Sequence, residues 1–130
     1  MLHRMGYRFR LHGADLPGKP DIVLPRFRTA IFVNGCFWHR HKGCRFAYTP
    51  KNRTGFWIEK LESNVIRDRR VNRELVKLGW HVVTVWECEL GAPDRLSKRL
   101  EAKLNVRHQM RKSRRAGRAR RVRRAAPRRA

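Results

Sequence analysis

The chain has 130 residues, 33 Lys/Arg against 10 Asp/Glu, a formal net charge of +23 and a pI of about 11.8. That length suits one domain with a modest core that a structural metal would help to hold, and the charge excludes an ordinary metabolic enzyme in favour of a polyanionic partner, nucleic acid first. No stretch approaches the roughly 18 continuous apolar residues of a membrane span, and Met1-Leu2-His3-Arg4-Met5 lacks the apolar core of a secretory signal, so a cytoplasmic protein is expected.

Leu16-Pro17-Gly18-Lys19-Pro20 reads as a turn, followed by a strand that Asp21 opens and Ile22-Val23-Leu24 continues. Pro25 to Arg28 makes the next turn, and Thr29-Ala30-Ile31-Phe32-Val33 is a short apolar strand that pairs with the first as a hairpin. Residues 56–78 carry apolar side chains at Trp57, Leu61, Val65, Leu75 and Leu78, interrupted by Arg67-Asp68-Arg69-Arg70, which predicts a long helix or a kinked pair. Gly79 is a helix-stop signal, and Trp80 to Trp86 is the clearest strand in the chain, with Glu87 and Cys88 at its far end. A final helix is predicted to Leu104. Residues 105–130 then hold twelve Lys/Arg and no acid, leaving residues 1–104 at +11; this tail has too little apolar content to bury and is expected to be disordered. The element order indicates an α/β domain around a mixed sheet.

Nine residues, Cys36 to Cys44, hold two of the three cysteines and two of the six histidines. Cys36, His41 and Cys44 give Cys-x4-His-x2-Cys, compact enough for one loop to wrap a tetrahedral ion, and Cys88 supplies a fourth ligand if its strand neighbours the one ending at Val33. Such a closed site is structural, with Zn²⁺ the suitable ion; the alternative is buried, inert thiols beside a surface His41. His39, two residues before His41, faces the other way in an extended loop and is free either for proton transfer near a phosphate or for an ordinary surface hydrogen bond. Asp21, one of few acids on a basic surface, is either a Mg²⁺ ligand or an aspartate held in a turn or ion pair. Phe37-Trp38 and Phe56-Trp57 are aromatic pairs at element edges, suited to wedging between base steps, with Phe56 the member best suited to core packing.

Leu16 to Asp21, Ile31 to His41, Phe56-Trp57-Ile58-Glu59-Lys60, Asn64 to Arg70, and Gly79-Trp80 through Val85-Trp86-Glu87-Cys88-Glu89-Leu90 together resemble the very short patch repair (Vsr) endonucleases over residues 5–92. The resemblance implies a restriction-endonuclease-like mixed sheet flanked by helices, a structural zinc, and a Mg²⁺-dependent nick 5′ to the thymine of a T:G mismatch left by deamination of 5-methylcytosine. It implies Asp21 as metal-binding carboxylate, His39 as general base, and the backbone carbonyl of Val33 as a further Mg²⁺ ligand. Cys36, His41, Cys44 and Cys88 match the zinc ligands, with one extra residue between His41 and Cys44. Phe37, Trp38 and Trp57 match the DNA wedge.

Two departures stand out. Asn34 lies where the family commonly has a second active-site histidine; it can bond a phosphate but cannot titrate. The family's N-terminal helix, with its metal-assisting glutamate, is almost absent ahead of Met5, and no Glu precedes position 59, so either the true start lies upstream or activity is reduced. The expectation is a monomeric, nucleoid-associated endonuclease on double-stranded DNA, with mismatch-repair proteins as partners, in two parts: an endonuclease domain over 1–104 and an Arg-rich tail over 105–130 that adds salt-sensitive affinity. Two competing readings are a zinc-stabilised DNA-binding module of the same fold without catalysis, favoured by the two departures, and an RNA-binding basic protein, which explains the tail but not the Cys, His and Asp constellation.

Overall fold

The computed structural model describes residues 2–105. Four strands form one mixed sheet in chain order: β1 (Arg10–Leu11), β2 (Ile22–Leu24), β3 (Thr29–Asn34) and β4 (His81–Trp86). The first three run antiparallel, and β4 joins β3 in parallel over its whole length, from Thr29 opposite His81 to Asn34 opposite Trp86. A parallel neighbour requires a crossover, and α1 (Thr54–Lys77) supplies it. A second helix, α2, spans 93–105, so helix continues one residue past the expected domain boundary; the rest of the expected basic tail lies outside the described residues. No described helix is long and apolar enough to cross a membrane.

Alternation along β3 and β4 sorts the side chains onto two faces. Leu24, Ile31, Val83 and Val85 pack with Leu96, Leu100 and Leu104 of α2 and with Leu2, forming the main core. The opposite face carries Phe32, Asn34, Val82, Thr84 and Trp86 and meets α1 across a cavity of about 560 Å³. Helix α1 is a single 24-residue helix, not a kinked pair, and begins two residues earlier than the apolar pattern suggested. Its charged run does not break it, because Arg67, Arg69 and Arg70 all remain exposed to solvent. Only Leu61 and Leu75 of α1 are fully buried, and Leu78 is 54% exposed.

The helix stops as its glycine implies. Gly79 sits at φ +87°, its N–H donates to the Val76 carbonyl, and the Trp80 N–H reaches back to Leu75, the paired bonds of a Schellman ending. At the other glycine with a strict requirement, Gly18 (φ +72°), a Cβ would stand 2.3 Å from Val71 Cγ1. The turn before β2 can therefore lie against α1 only as glycine. Strand β1 was not foreseen. Both of its residues are exposed and it forms the sheet edge.

Candidate metal and nucleic-acid site

The parallel pairing of β3 with β4 decides which residues meet. Asn34 and Trp86 are partners at the carboxyl ends of the two strands, so the segments that leave these strands, carrying Cys36 and Cys88, emerge side by side. Cys36 is buried, and Cys88 sits in the 3₁₀ turn Glu87–Gly91. The loop that follows Cys36 folds back through a series of turns, with the His41 N–H donating to the Cys36 carbonyl at 3.0 Å and the Cys44 N–H to the His41 carbonyl at 3.3 Å. The result brings the donor atoms of Cys36, His41, Cys44 and Cys88 within 4.8 Å of one another.

Those four residues fit a metal such as zinc. His41 Nδ1 lies 3.7 Å from Cys36 Sγ and 3.5 Å from Cys88 Sγ, close to the edge of about 3.6 Å that Zn–S and Zn–N bond lengths set for a tetrahedron. The flat face of His41 stacks on Trp86, with centroids 4.2 Å apart and planes 10° from parallel. The Cys88 N–H donates to Cys36 Sγ at 3.4 Å, the type of outer contact that stabilises a thiolate ligand. The thiols differ in proton affinity. Backbone N–H donation from Phe46 is the largest influence lowering Cys44, whereas burial, followed by the adjacent Cys36 and Cys44, pushes Cys88 up to about 11.

His39 takes no part in that cluster. Its Nδ1 lies 2.6 Å from Asp68 Oδ2, an ion-pair geometry with side-chain exposures of 24% and 35%. Asp68 had no assigned role in the sequence, although a signal was present: it sits on the inward stripe of α1, Leu61, Val65, Asp68, Leu75, where helical spacing calls for an apolar residue. A carboxylate there needs a partner, and His39 is that partner. His39, Asp68 and Asn34 all line the cavity between α1 and the sheet, with Lys19, Arg67 and Arg69 among its other walls. Asp21 is not among those walls. Its Oδ2 accepts the Val33 N–H at 2.7 Å, which holds the carboxylate across the β2–β3 pair beside the peptide leading into Asn34. Asp21 and Val33, linked only by the resemblance at the level of sequence, are thus in contact.

The aromatic residues gather more tightly than their sequence positions suggest. Phe37 contacts Trp38, Tyr48 and Trp57 at centroid distances of 5.2, 5.1 and 5.6 Å, Trp38 lies 5.8 Å from Trp57, and Phe56 lies 5.3 Å from Trp57. Phe56 is 46% exposed and not a core residue, because it occupies the outer side of the first turn of α1, under the Arg53 guanidinium. Trp38 and Tyr48 are 45% and 62% exposed. Tyr48 is a member that the sequence reading missed. The platform is anchored from behind by Asn64, whose Nδ2 donates to the Trp38 carbonyl at 3.1 Å, and by Arg40, which donates to Tyr48 O at 2.8 Å and to Thr49 Oγ1 at 3.0 Å.

A Cys/His cluster that could hold a metal, a His–Asp pair at a cavity and an exposed aromatic platform on a body of charge +11 define an α/β protein suited to act on nucleic acid. The family model for DNA mismatch endonuclease Vsr matches residues 1–45. The type II nicking enzyme V.XorIIP of Xanthomonas oryzae pv. oryzae is 52% identical over 100 residues, covering 77% of this chain and 73% of that protein. DNA mismatch endonuclease Vsr of Escherichia coli is 46% identical over 97 residues, covering 75% and 62%, and the type II nicking enzyme V.NaeI of Lentzea aerocolonigenes is 40% identical over 93 residues, covering 68% and 55%. The chain belongs to the Vsr family of DNA mismatch endonucleases. It spans less than two thirds of the length of the Escherichia coli and Lentzea proteins.

Proposed function

We propose that this chain, on a restriction-endonuclease-like fold, is a Mg²⁺-dependent endonuclease that nicks duplex DNA 5′ to the thymine of a T:G mismatch. The observation that carries this reading is the His39–Asp68 pair at 2.6 Å, on a cavity it shares with Asn34, next along the chain from the Asp21–Val33 contact. With the Asp68 carboxylate accepting from Nδ1–H, the His39 Nε2 lone pair is the free base; the tautomer follows from that hydrogen bond. His39 then takes a proton from the attacking water as oxygen approaches phosphorus, and Asp68 fixes the ring and stabilises the imidazolium that results.

Asp21 and the Val33 carbonyl offer the hard oxygen donors that suit Mg²⁺. When bound, the ion supplies neutralising charge at the scissile phosphate and leaving oxygen. Lys19 at the cavity wall adds positive charge toward the phosphate backbone, and Asn34 serves as a neutral hydrogen-bond partner. Trp38, with Phe37 and Trp57 behind it, wedges into the base stack beside the mismatch. A T:G pair stacks poorly, so prising it open costs less than opening a Watson–Crick pair, and part of the selectivity is energetic.

Asn34 favours one second reading, a zinc-stabilised DNA-binding module of the same fold that does not cut, because a group that cannot titrate stands beside His39. Incubation with Mg²⁺ and a duplex carrying a single T:G mismatch, next to its T:A control, separates the two. The expected product is one nick 5′ to the mismatched thymine, abolished in Asp21→Ala and His39→Ala. Tight mismatch binding with no nick establishes the binding module instead.

A further inference from the structure

The fourth metal ligand comes from a part of the chain remote from the other three. Cys88 sits in a 3₁₀ turn whose shape depends on Glu89. The Glu89 carboxylate oxygen Oε1 accepts the Trp86 N–H at 3.0 Å, closing the start of the turn, and the same oxygen accepts from Arg99 Nη2 at 2.8 Å. Arg99 lies on α2, and its Nη2 also donates to the Thr84 carbonyl of β4 at 2.9 Å. One guanidinium nitrogen therefore ties the strand before the turn to the turn itself. Glu89 and Arg99 are only 24% and 33% exposed, so the pair is partly shielded from water and salt.

Two metal ligands hang on this arrangement. Cys88 lies between Trp86 and Glu89, the two residues joined by the carboxylate, and its N–H points at Cys36 Sγ. His41 rests flat against the Trp86 ring. We infer that Arg99 and Glu89 are positioning residues for the metal site, an outer clamp through which α2 presets Cys88 and His41. The pair is outside the ligand set and touches no substrate. The inference rests on the four-ligand metal site and extends it to residues that the Cys/His spacing does not reveal.

Outer partners that orient ligands typically contribute 10- to 100-fold to metal affinity. The test is zinc affinity of the full chain, measured by competition with a chromophoric chelator, for the unsubstituted protein, Arg99→Met, Glu89→Ala, their combination and Glu89→Gln. Arg99→Met and Glu89→Ala should each weaken zinc binding by roughly 10- to 100-fold, and the double variant should be no weaker than the worse single, because both remove one unit. Glu89→Gln keeps an oxygen for the Trp86 N–H and should lose least. Arg99 Nε is buried with no hydrogen-bond partner among the described residues. Methionine removes that unpaired donor along with the clamp, so far-UV circular dichroism without metal should match the unsubstituted chain. Zinc affinities of Arg99→Met and Glu89→Ala within about twofold of the parent, or losses that multiply in the double variant, overturn the clamp. A parent that binds no zinc overturns the four-ligand site itself, so the two failures are distinct.

Discussion

Replacing Asp68 by asparagine should slow strand nicking by roughly 10- to 150-fold while leaving DNA affinity within about twofold. The magnitude follows from one contact. His39 Nδ1 and Asp68 Oδ2 are 2.6 Å apart, a charge-assisted hydrogen bond once the ring has taken its proton, and bonds to charged groups contribute about 1.5–3 kcal/mol, which is that range in rate. With side-chain exposures of 24% and 35%, solvent competes for both partners and favours the lower half of the range. Asparagine keeps the shape but can present its amide nitrogen as a donor, which stabilises the wrong imidazole tautomer and withdraws the charge that supports imidazolium. Single-turnover nicking of a T:G duplex gives the rate, and fluorescence anisotropy gives the affinity. Unchanged nicking, or a loss that lies wholly in binding, would falsify the assignment of Asp68 to the base.

Three further outcomes test the rest of the architecture. Metal analysis of the purified chain should find about one Zn²⁺ per molecule, and Cys88→Ser should lose most of it; less than one zinc in the parent removes the four-ligand site. Trp38→Ala should weaken mismatch binding by roughly 5- to 150-fold, corresponding to about 1–3 kcal/mol per stacked base, with Tyr48→Ala showing a smaller loss in the same titration; equal binding to parent in both variants rules out the platform. Gly18→Ala should destabilise the fold by about 1–3 kcal/mol in urea unfolding, since its Cβ meets Val71 Cγ1 at 2.3 Å and its φ is +72°, and Val71→Ala in the same chain should restore part of that loss; no change in midpoint contradicts the packing of this turn on α1.

The apolar runs of β2, β3 and β4 were legible because each is a short stretch bounded by turn residues, and the helix stop at Gly79 was legible from one glycine. The grouping of Cys36, His41, Cys44 and Cys88 followed from spacing together with one topological condition, that the strand leading to Cys88 neighbour the one ending at Val33, and the parallel register meets it. What the sequence hid is of one kind. Asp68 and His39 are 29 residues apart, Glu89 and Arg99 ten, and in each pair the partner is set by how a helix lies on the sheet, which local pattern does not encode. Phe56 was misplaced for a related reason. An aromatic at the first turn of a helix can face in or out, and the inward side here belongs to Trp57, Leu61 and Val65. Strand β1 has two exposed residues and no alternation to detect.

The Cys/His cluster and the His–Asp pair share walls. Trp86 stacks on His41 with one face of its ring and also lines the cavity that holds His39 and Asp68. The loop that carries Cys36 and His41 carries His39 between them, with its N–H anchored to the Gly35 carbonyl at 3.1 Å. A loop this short cannot relax at Cys36 and His41 while keeping a ring placed to hydrogen-bond accuracy at residue 39. The aromatic platform is bound by the same constraint, since Phe37 and Trp38 lie between the same two residues. Cys36 and His41, the ends of this six-residue span, both join the Cys/His cluster, while the turn between them sets Phe37 and Trp38 into the aromatic platform and His39 against Asp68.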